Sequence, residues 1–190
     1  MKTILVSGKS GSGKDMFASF LKDELEQQGL RVIITHYADP VKFFAEKYFG
    51  WNGEKDIAGR RLLQTLGTDW VRTVLPNYWV GVITGFLDAM EPNNQFDVAI
   101  VADTRFPNEI ELPYEVLEDV TTVRINRMNP DGTPWLNPTL TETQQQHPSE
   151  TSLDNYLCDY TIINDEGLDT FKESAHTFLV DIGLVKGDIE

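Results

Sequence analysis

Cysteine and histidine are scarce in this chain of 190 residues. Cys158 is its one cysteine and cannot form an internal disulfide. The three histidines, His36, His147 and His176, lie too far apart in sequence to show the spacing of a zinc site. We therefore expect neither a structural disulfide nor a zinc centre, and chemistry that depends on either is excluded from the expected functions.

Positive charge is also scarce, and long apolar runs are lacking. The chain has 16 Lys and Arg against 30 Asp and Glu, so its formal net charge is 16 − 30 = −14. A protein that binds a nucleic-acid polymer needs many cations to replace phosphate counterions, so this balance argues against such a partner. It leaves room for a small anion in a local basic pocket. No apolar run approaches the length that spans a membrane. We expect a soluble, cytoplasmic protein whose partners are small molecules.

What the chain does have is enough apolar material for one packed domain, with 41% hydrophobic and 11% aromatic residues. Short apolar runs typical of buried strands alternate with segments of helical periodicity. These runs lie at residues 3–6, 32–34, 98–101, 121–125 and 160–163. Continuous apolar strands separated by helices predict an α/β fold with a mainly parallel, five-stranded sheet flanked by helices.

We interpret residues 1–190 as a single domain with two additions to its core. The predicted core comprises residues 1–38, 93–126 and 149–190. The segment 39–92, called the insert below, has helical patterns throughout. Asp39-Pro40 is expected to begin its first helix, and Gly67 to end its second. The segment 127–148, called the lid, is rich in proline and long for a connection, which is typical of a mobile, functional loop.

The most specific motif is Gly8-x4-Gly13-Lys14, directly after the first strand and directly before a helix. Glycines let the backbone wrap so that successive N–H groups point at a phosphate, and the lysine adds a charge for the terminal phosphates. The helix that follows presents its positive end to the same anion. The residues expected to bind ATP in this loop are Gly8, Ser10, Gly11, Ser12, Gly13, Lys14 and Asp15.

Two aspartates are candidate ligands of a magnesium ion, directly or through water. Asp15 stands where the generic motif has a Ser or Thr hydroxyl, and a carboxylate is also a hard oxygen ligand. Its alternative role is to cap the helix. Asp103 follows a buried strand at the sheet edge where α/β proteins bind ligands. It is expected to hold magnesium or to accept a proton, and its alternative role is to cap the helix that opens at Pro107.

Several cations are candidates for holding an acceptor phosphate. Arg60 and Arg61 open a helix of the insert, and Gln64 shares a face with either of them. Arg72 is a weaker candidate of the same kind. Arg105, close to Asp103, is expected to contact phosphate or to pair with Glu109. A planar guanidinium suits bidentate contact with a phosphomonoester, whereas the alternative for all of them is ion pairing with the many acids.

Arg127 lies at the root of the lid. An arginine in such a position neutralises charge on a transferring phosphoryl group when the site closes, and closure excludes water. His147, at the far end of the lid, either contacts a phosphate or orders the lid exit. The expected catalytic set is therefore Lys14, Asp15, Asp103, Arg105 and Arg127.

These residues together resemble the deoxynucleoside monophosphate kinases of bacteriophages, a branch of the P-loop kinases. The matching stretches run in order over nearly the whole chain: Ser12-Gly13-Lys14-Asp15, Arg60-Arg61-Leu62-Leu63-Gln64-Thr65-Leu66-Gly67-Thr68-Asp69, Tyr78-Trp79-Val80, Asp103-Thr104-Arg105-Phe106-Pro107-Asn108-Glu109, His147-Pro148-Ser149-Glu150 and Ile163-Asn164-Asp165. In that family a phosphate loop ending in Lys-Asp is usual, so Asp15 departs only from the generic motif.

The resemblance implies a P-loop NTPase fold of the nucleoside monophosphate kinase type, and transfer of the γ-phosphoryl group of ATP to a deoxynucleoside 5′-monophosphate. ATP and Mg²⁺ are the implied cofactors. The insert would receive the monophosphate and the turn at Asn164 would border the adenine. A homodimer is left open, and a phage-encoded chain would work in the host cytoplasm. The expected substrate-binding residues are Asp39, Arg60, Arg61, Gln64, Asp69, Arg72 and Arg105.

Three other functions remain as alternatives at this point. Animal-type phosphomevalonate kinases resemble the same loop ending, so the acceptor could be another phosphorylated metabolite. A kinase acting on a modified base within phage DNA is a second alternative, although the net charge opposes it. A nucleotide-binding module without catalysis is the third, and it predicts ATP affinity without any phosphoryl acceptor.

Overall fold

The computed structural model describes residues 1–54 and 56–187. Lys55 and residues 188–190, which fall within the predicted domain ranges, lie outside the described residues. The strands are β1 (Lys2–Ser7), β2 (Val32–Thr35), β3 (Val98–Thr104), β4 (Asp119–Arg127) and β5 (Tyr160–Asn164). The α-helices are α1 (Lys14–Gln27), α2 (Ala38–Phe49), α3 (Ile57–Gln64), α4 (Val71–Val74), α5 (Tyr78–Met90), α6 (Asn108–Val116), α7 (Glu142–Gln145), α8 (Pro148–Thr151) and α9 (Leu168–Asp181). A π-helical stretch, Thr65–Trp70, links α3 to α4, and a 3₁₀ turn, Glu91–Asn93, follows α5.

Within the described residues, five parallel strands form one sheet in the order β2-β3-β1-β4-β5. The predicted α/β class and five-stranded parallel sheet are confirmed. Strand β1 is central, and its last residue, Ser7, is in register with Thr104 on one side and Arg124 on the other. The carboxyl ends of β1, β3 and β4 therefore meet at one edge, which brings the loop after β1 beside Asp103 and Arg127.

Helices cover both faces of the sheet. On β1, Ile4 and Val6 face one side, where they pack with Phe17 of α1 and Phe178 of α9. Leu5, between them, faces the other side and belongs to the cluster that α5 and α6 complete. This alternation follows from the two-residue period of a strand, and both faces are buried, which explains the continuous apolar runs. Each such buried side chain contributes about 1.5–3 kcal/mol to stability.

The insert forms its own apolar cluster, made of Val41, Ala45, Leu66 and Trp79. The prediction that Gly67 ends a helix is wrong, because the chain continues helically through Thr65–Trp70 as a π-helix. A Cβ at Gly67 would lie 3.5 Å from the Val41 side chain. The glycine lies in the contact between helix α2 and this stretch, and tertiary packing keeps the helix going where local propensity alone would stop it.

The lid is mostly irregular, as its prolines predict. Its regular features are an isolated antiparallel bridge between Met128 and Pro134 and the short helix α7. That helix begins with a capping box between Thr141 and Gln144. In residues 1–54 and 56–187, no helix has both the length and the apolar character needed to cross a membrane.

Candidate active site

The loop between β1 and α1 has the shape that a phosphate cradle requires. Gly13, the residue before α1, has φ of 104°, a left-handed conformation that glycine adopts without strain. Gly8 has φ of 147°, and a Cβ there would lie 2.5 Å from the carbonyl oxygen of Ile125. Any larger residue at Gly8 would push the loop away from β4. These two glycines place the loop against the sheet edge and direct it into the N-terminus of α1.

Lys14 is almost fully buried beneath this loop. Its Nζ donates to the carbonyl oxygen of Lys9 at 2.8 Å. Burial is the main reason that its pKa falls to about 7, the charge of Arg105 lowers it further, and the acids Glu150, Asp15 and Asp103 oppose the change. The ammonium is therefore poorly solvated, which prepares it for an anion that would replace the lost water.

Asp15 follows Lys14 and exposes most of its carboxylate, with the side chain 85% exposed. Its Oδ1 lies 3.3 Å from Nε2 of His36, whose Nδ1 lies 3.3 Å from Oδ2 of Asp39. Hydrogen bonds that the imidazole donates to the carboxylates of Asp15 and Asp39 raise the pKa of His36 to about 9, so the imidazole is cationic at neutral pH. Asp39 thus contacts His36, and also Lys42 at 2.9 Å.

Asp103 binds the N-terminus of helix α2. Its Oδ1 accepts the backbone N–H of Tyr37 at 2.7 Å, and its Oδ2 accepts that of Ala38 at 3.0 Å. The prediction that Asp39 caps this helix and Pro40 is its first residue is therefore off by two residues, since Tyr37 is the N-cap residue, α2 starts at Ala38 and Asp103 supplies the cap from the neighbouring strand. The carboxylate of Asp39 instead accepts the backbone N–H of His36.

A cavity of about 260 Å³ lies between the sheet edge, the insert and the lid. Arg60, Gln64, Arg72 and Arg105 all line it, so the structure brings together these four predicted substrate-binding residues. Its apolar wall includes Val41, Leu63, Trp79, Phe106 and Leu140. The phosphate loop reaches the cavity through Ser10, and Asp103 lines it as well.

Three other predicted substrate-binding residues are placed differently. Arg61 and Asp69 are exposed, whereas Arg60 is half-buried. Within the described residues, neither they nor Asp39 are among the side chains that line this cavity. Of the two adjacent arginines, Arg60 is therefore the one that lines the cavity.

Arg72 is held in the cavity wall by a buried acid. Its Nη2 donates to Oε1 of Glu109, whose side chain is 2% exposed, and its guanidinium lies 4.3 Å from the centre of the Phe106 ring. Glu109 Oε2 also accepts the backbone N–H groups of Arg105 at 2.6 Å and Phe106 at 3.1 Å. Burial raises the pKa of Glu109 to about 7, while Arg72 and the two N–H donors oppose that rise.

Arg105 pairs with a different acid from the one predicted. Its backbone binds Glu109, but its side-chain Nη1 donates to Oε1 of Glu150 and to the carbonyl oxygen of Ser149. Glu150 Oε2 in turn accepts the backbone N–H of Ser10 in the phosphate loop. The guanidinium of Arg105 thus lies between helix α8, the loop and the cavity.

The lid rests on the phosphate loop. Arg127 Nη1 donates to the carbonyl oxygen of Gly11 at 3.1 Å, and the guanidinium stacks on the Trp135 ring with 4.2 Å to its centre. Asn137 Nδ2 donates to Oγ of Ser10 at 3.2 Å. These contacts place Arg127 beside the loop, and its role toward a transferring phosphoryl group stays a prediction.

Two further predicted residues have structural contacts. Asn164 Nδ2 donates to the carbonyl oxygen of Ser12 at 2.9 Å, so the amide supports the loop from β5, and its role beside an adenine stays a prediction. His147 is the N-cap of helix α8, where its Nδ1 accepts the backbone N–H of Ser149. This contact fits the interpretation that His147 orders the lid exit.

Glu150 is a site residue that the sequence motifs do not predict, and Glu109 is predicted only as a partner for Arg105. Both lie in stretches that carry the resemblance to the phage kinases, and that was the only signal for them. Their partners are distant in sequence, since Glu150 contacts Ser10 across 140 positions and Glu109 contacts Arg72 across 37. An acid in a chain with so many acids does not stand out without those contacts.

Comparison with solved structures shows the fold. The chain is similar to the APS kinase CysC of Mycobacterium tuberculosis, solved with AMPPNP and APS, at 13% identity and a TM-score of 0.53, over 98% of each chain. It is similar to the tunicamycin resistance protein of Deinococcus radiodurans at 14% identity and a TM-score of 0.55, over 97% of this chain and 96% of that one. A sugar kinase from Janibacter sp. HTCC2649 matches at 18% identity and a TM-score of 0.54, over 97% and 96% of the two chains. At these identities the likeness concerns the P-loop kinase fold alone, and the predicted fold is confirmed.

Comparison of sequences shows the family. The uncharacterised protein ORF77 of Ictalurid herpesvirus 1 (strain Auburn) is 30% identical over 178 residues, which is 93% of this chain and 70% of that protein. A family model described as "Deoxynucleotide monophosphate kinase" matches residues 34–175, a range that holds the insert, Asp103, Arg105 and the lid. The chain therefore belongs to the deoxynucleotide monophosphate kinase family.

Proposed function

We propose that this protein transfers the γ-phosphoryl group of ATP to the 5′-phosphate of a deoxynucleoside monophosphate, giving the diphosphate and ADP. The observation that carries the proposal is the convergence of Arg60, Arg72 and Arg105 on one cavity beside the phosphate loop. In a chain of net charge −14, these three guanidinium groups balance the three acids of the same lining, Asp103, Glu109 and Glu150, and offer planar donors to an anionic acceptor next to the donor nucleotide.

The donor side consists of the phosphate loop and Lys14. Loop N–H groups and the positive end of α1 bind the phosphates of ATP, and the buried ammonium of Lys14 binds where the charge is greatest. Arg127 lies over Gly11, so it approaches the same phosphates from the lid. No part of this arrangement requires a covalent bond to the protein.

The acceptor side consists of the cavity. Arg60, Gln64 and Arg105 hold the monophosphate, and the apolar wall around Trp79 and Phe106 receives the base. An oxygen of the acceptor phosphate attacks the γ-phosphorus, and the bond from that phosphorus to the β–γ bridging oxygen breaks, leaving ADP. The residues contribute by positioning two polyanions and neutralising their charge.

The residues at the loop fit a magnesium ion of the kind that kinases use. Mg²⁺ keeps several waters and takes one or two carboxylates together with substrate phosphates, so it needs no cage of protein ligands. In the described parts of the chain, no group of three His, Cys, Asp or Glu side chains could hold a metal ion by itself. The exposed carboxylate of Asp15 and the second lone pairs of Asp103 would hold it, and when bound it neutralises charge on the phosphates.

The test is a coupled assay of ADP formation with ATP, Mg²⁺ and each of the four common deoxynucleoside monophosphates. Turnover of at least one of them is expected, and Lys14→Ala is expected to lose about a hundredfold or more of kcat while its circular dichroism and melting curve stay native. Near wild-type rates in Lys14→Ala would contradict the mechanism.

The same assay separates the alternatives. Other phosphorylated metabolites, phosphomevalonate among them, and duplex DNA are offered in place of the monophosphates. Turnover of one of these and of no deoxynucleoside monophosphate would overturn the proposed acceptor while leaving the kinase chemistry intact. ATP binding without any turnover would indicate a binding module.

A further inference from the structure

Glu150 joins the phosphate loop to Arg105 through one nearly buried carboxylate. The residue lies in helix α8, where the lid returns to the core, and its side chain is 9% exposed. Oε2 accepts the backbone N–H of Ser10 at 2.7 Å, and Oε1 accepts Nη1 of Arg105. One carboxylate therefore contacts a donor-side amide and an acceptor-side cation at once.

The charge of Glu150 belongs to the electrostatics of the site. A carboxylate buried to this extent is stable only when its charge is balanced and its oxygens accept hydrogen bonds, and Arg105 and the loop provide both. The same charge acts on Lys14, because Glu150 is the first of the acids that oppose the lowering of the Lys14 pKa by burial and by Arg105. The charges of Glu150, Arg105 and Lys14 therefore affect one another between the loop and the cavity.

Helix α8 also fixes the direction of Arg105. Its Nη1 donates both to Glu150 and to the carbonyl oxygen of Ser149 at 3.0 Å. A guanidinium is rigid and planar, so two acceptors on one nitrogen restrict the plane of the whole group. In the described part of the chain, Nε and Nη2 of Arg105 make no hydrogen bond, and Arg105 lines the cavity. These two groups are the ones that remain for an anion.

We propose that Glu150 is a positioning residue that holds Arg105 against the acceptor phosphate and sets its distance from the phosphate loop. This inference rests on the proposed function. Since kinase catalysis of this type depends on placing two phosphates in line, loss of the link between the two binding sides reduces the rate of transfer more than the binding of either substrate.

If Glu150 instead competed with the substrates for these donors, its removal would change the kinetic constants in the opposite direction. A carboxylate on Ser10 N–H and on Arg105 takes up two donors that a phosphate would also use. If Glu150 were a competitor of the substrates, its removal would strengthen their binding and leave the transfer step alone. Kinetics of a variant without this charge, measured alone and in an Arg105→Lys background, therefore separate the two roles.

The decisive variant is Glu150→Gln, which keeps the shape of the side chain and removes its charge. With the deoxynucleoside monophosphate that the wild type turns over fastest, kcat is expected to fall about 10- to 100-fold while KM for ATP changes less than about threefold. In an Arg105→Lys background the same change is expected to cost less than about threefold, because the group that it positions is already altered. Glu150→Asp keeps the charge on a shorter side chain and is also expected to lower kcat. This variant replaces Glu150→Gln in the test if Glu150→Gln does not fold.

The control is Glu142→Gln, which removes the same charge from an exposed residue of the lid helix α7. It is expected to stay within about twofold of wild type in both constants. A fall in KM for ATP with unchanged kcat in Glu150→Gln would overturn the inference, and so would an equal loss with and without the Arg105→Lys change.

The proposed function is tested separately, by the turnover of deoxynucleoside monophosphates by the wild type. If the wild type turns over no deoxynucleoside monophosphate, calorimetric titration of ATP into Glu150→Gln still tests the inference. Positioning predicts an ATP affinity within about threefold of wild type, and binding tightened by about tenfold or more would show that Glu150 competes with phosphate.

Discussion

Asp103 Oδ1 accepts the backbone N–H of Tyr37 at 2.7 Å, and through this contact strand β3 holds the N-terminus of helix α2. With Ala38 bound to the second oxygen, the carboxylate satisfies two N–H groups that have no partner inside the helix, and its charge opposes the positive end of the helix dipole. The residue that sequence reasoning assigned to the metal thus also positions the first helix of the insert.

Replacing Asp103 with Asn tests this structural role. The amide keeps one acceptor oxygen, but its NH₂ group faces a second N–H donor, so we expect a loss of about 1–3 kcal/mol in the free energy of unfolding, measured with urea. Asp88→Asn, on an exposed position of helix α5, is the control and should change stability by less than about 0.5 kcal/mol. Equal stability of the two variants would show that the cap does not stabilise α2.

The two adjacent arginines of the insert offer a matched comparison. Arg60 lines the cavity and is half-buried, whereas Arg61 is exposed. A charge-assisted hydrogen bond to phosphate contributes about 1.5–3 kcal/mol, so Arg60→Ala should raise KM for the acceptor about 10- to 100-fold. The rise in Arg61→Ala should be at least tenfold smaller. Steady-state kinetics at saturating ATP measure both, and a larger effect at Arg61 would reverse their assignment.

The outline of the fold was predictable because its signals are local. The apolar runs that became β1 and β3, and the glycines before Lys14, each identify an element from a few neighbouring residues. The contacts that complete the site are not local. Asp103 caps α2 only because β3 lies next to β2 in the sheet, and nothing in the sequence near Asp103 gives the strand order.

Gly67 and Glu150 show the same limit at the level of single residues. The helix-ending propensity of Gly67 was overridden by packing of the insert cluster, which a one-residue preference does not include. Glu150 is one of 30 acids, and its distinction is a pair of contacts with residues far away in sequence. The arginines of the cavity were predictable as a group because cations are rare here, but their pairing was not.

Lys14 should take up a proton when ATP binds at pH 8. Its pKa of about 7 in the folded protein leaves it mostly neutral at that pH, and nearby phosphates favour the charged form. Calorimetry of ATP binding in buffers of different ionisation enthalpy should therefore show uptake approaching one proton. Lys14→Met should lose that uptake, and an unchanged proton count in this variant would place the titrating group elsewhere.

The same pKa affects stability without nucleotide. The ordinary value of 10.5 applies to the unfolded chain, so between about pH 7 and 10.5 the unfolded state binds more protons at Lys14 than the folded state. The contribution of Lys14 to stability should then rise with pH across this window, whereas His36, whose pKa is raised from 6.5 to about 9, acts in the opposite direction below pH 9 in the wild type and the variant alike. Lys14→Met should lack this rise. Urea unfolding at several pH values measures it as the difference in the free energy of unfolding between the wild type and this variant.

The contact between Gly11 and Trp135 gives a prediction about the lid. Gly11 has φ of +78°, and a Cβ there would lie 2.8 Å from the Trp135 ring, so Gly11→Ala should displace the ring and with it Arg127, which stacks on it. We expect faster hydrogen exchange of the backbone across residues 127–148 and a kcat lowered about tenfold or more. Gly29→Ala is the control, because Gly29 has a similar φ of +82° with no heavy atom within 4 Å, so it carries the backbone strain without the clash. If hydrogen exchange of the lid is the same in Gly11→Ala as in Gly29→Ala, Trp135 does not hold the lid on the loop. Any loss of kcat in Gly11→Ala would then come from the loop alone.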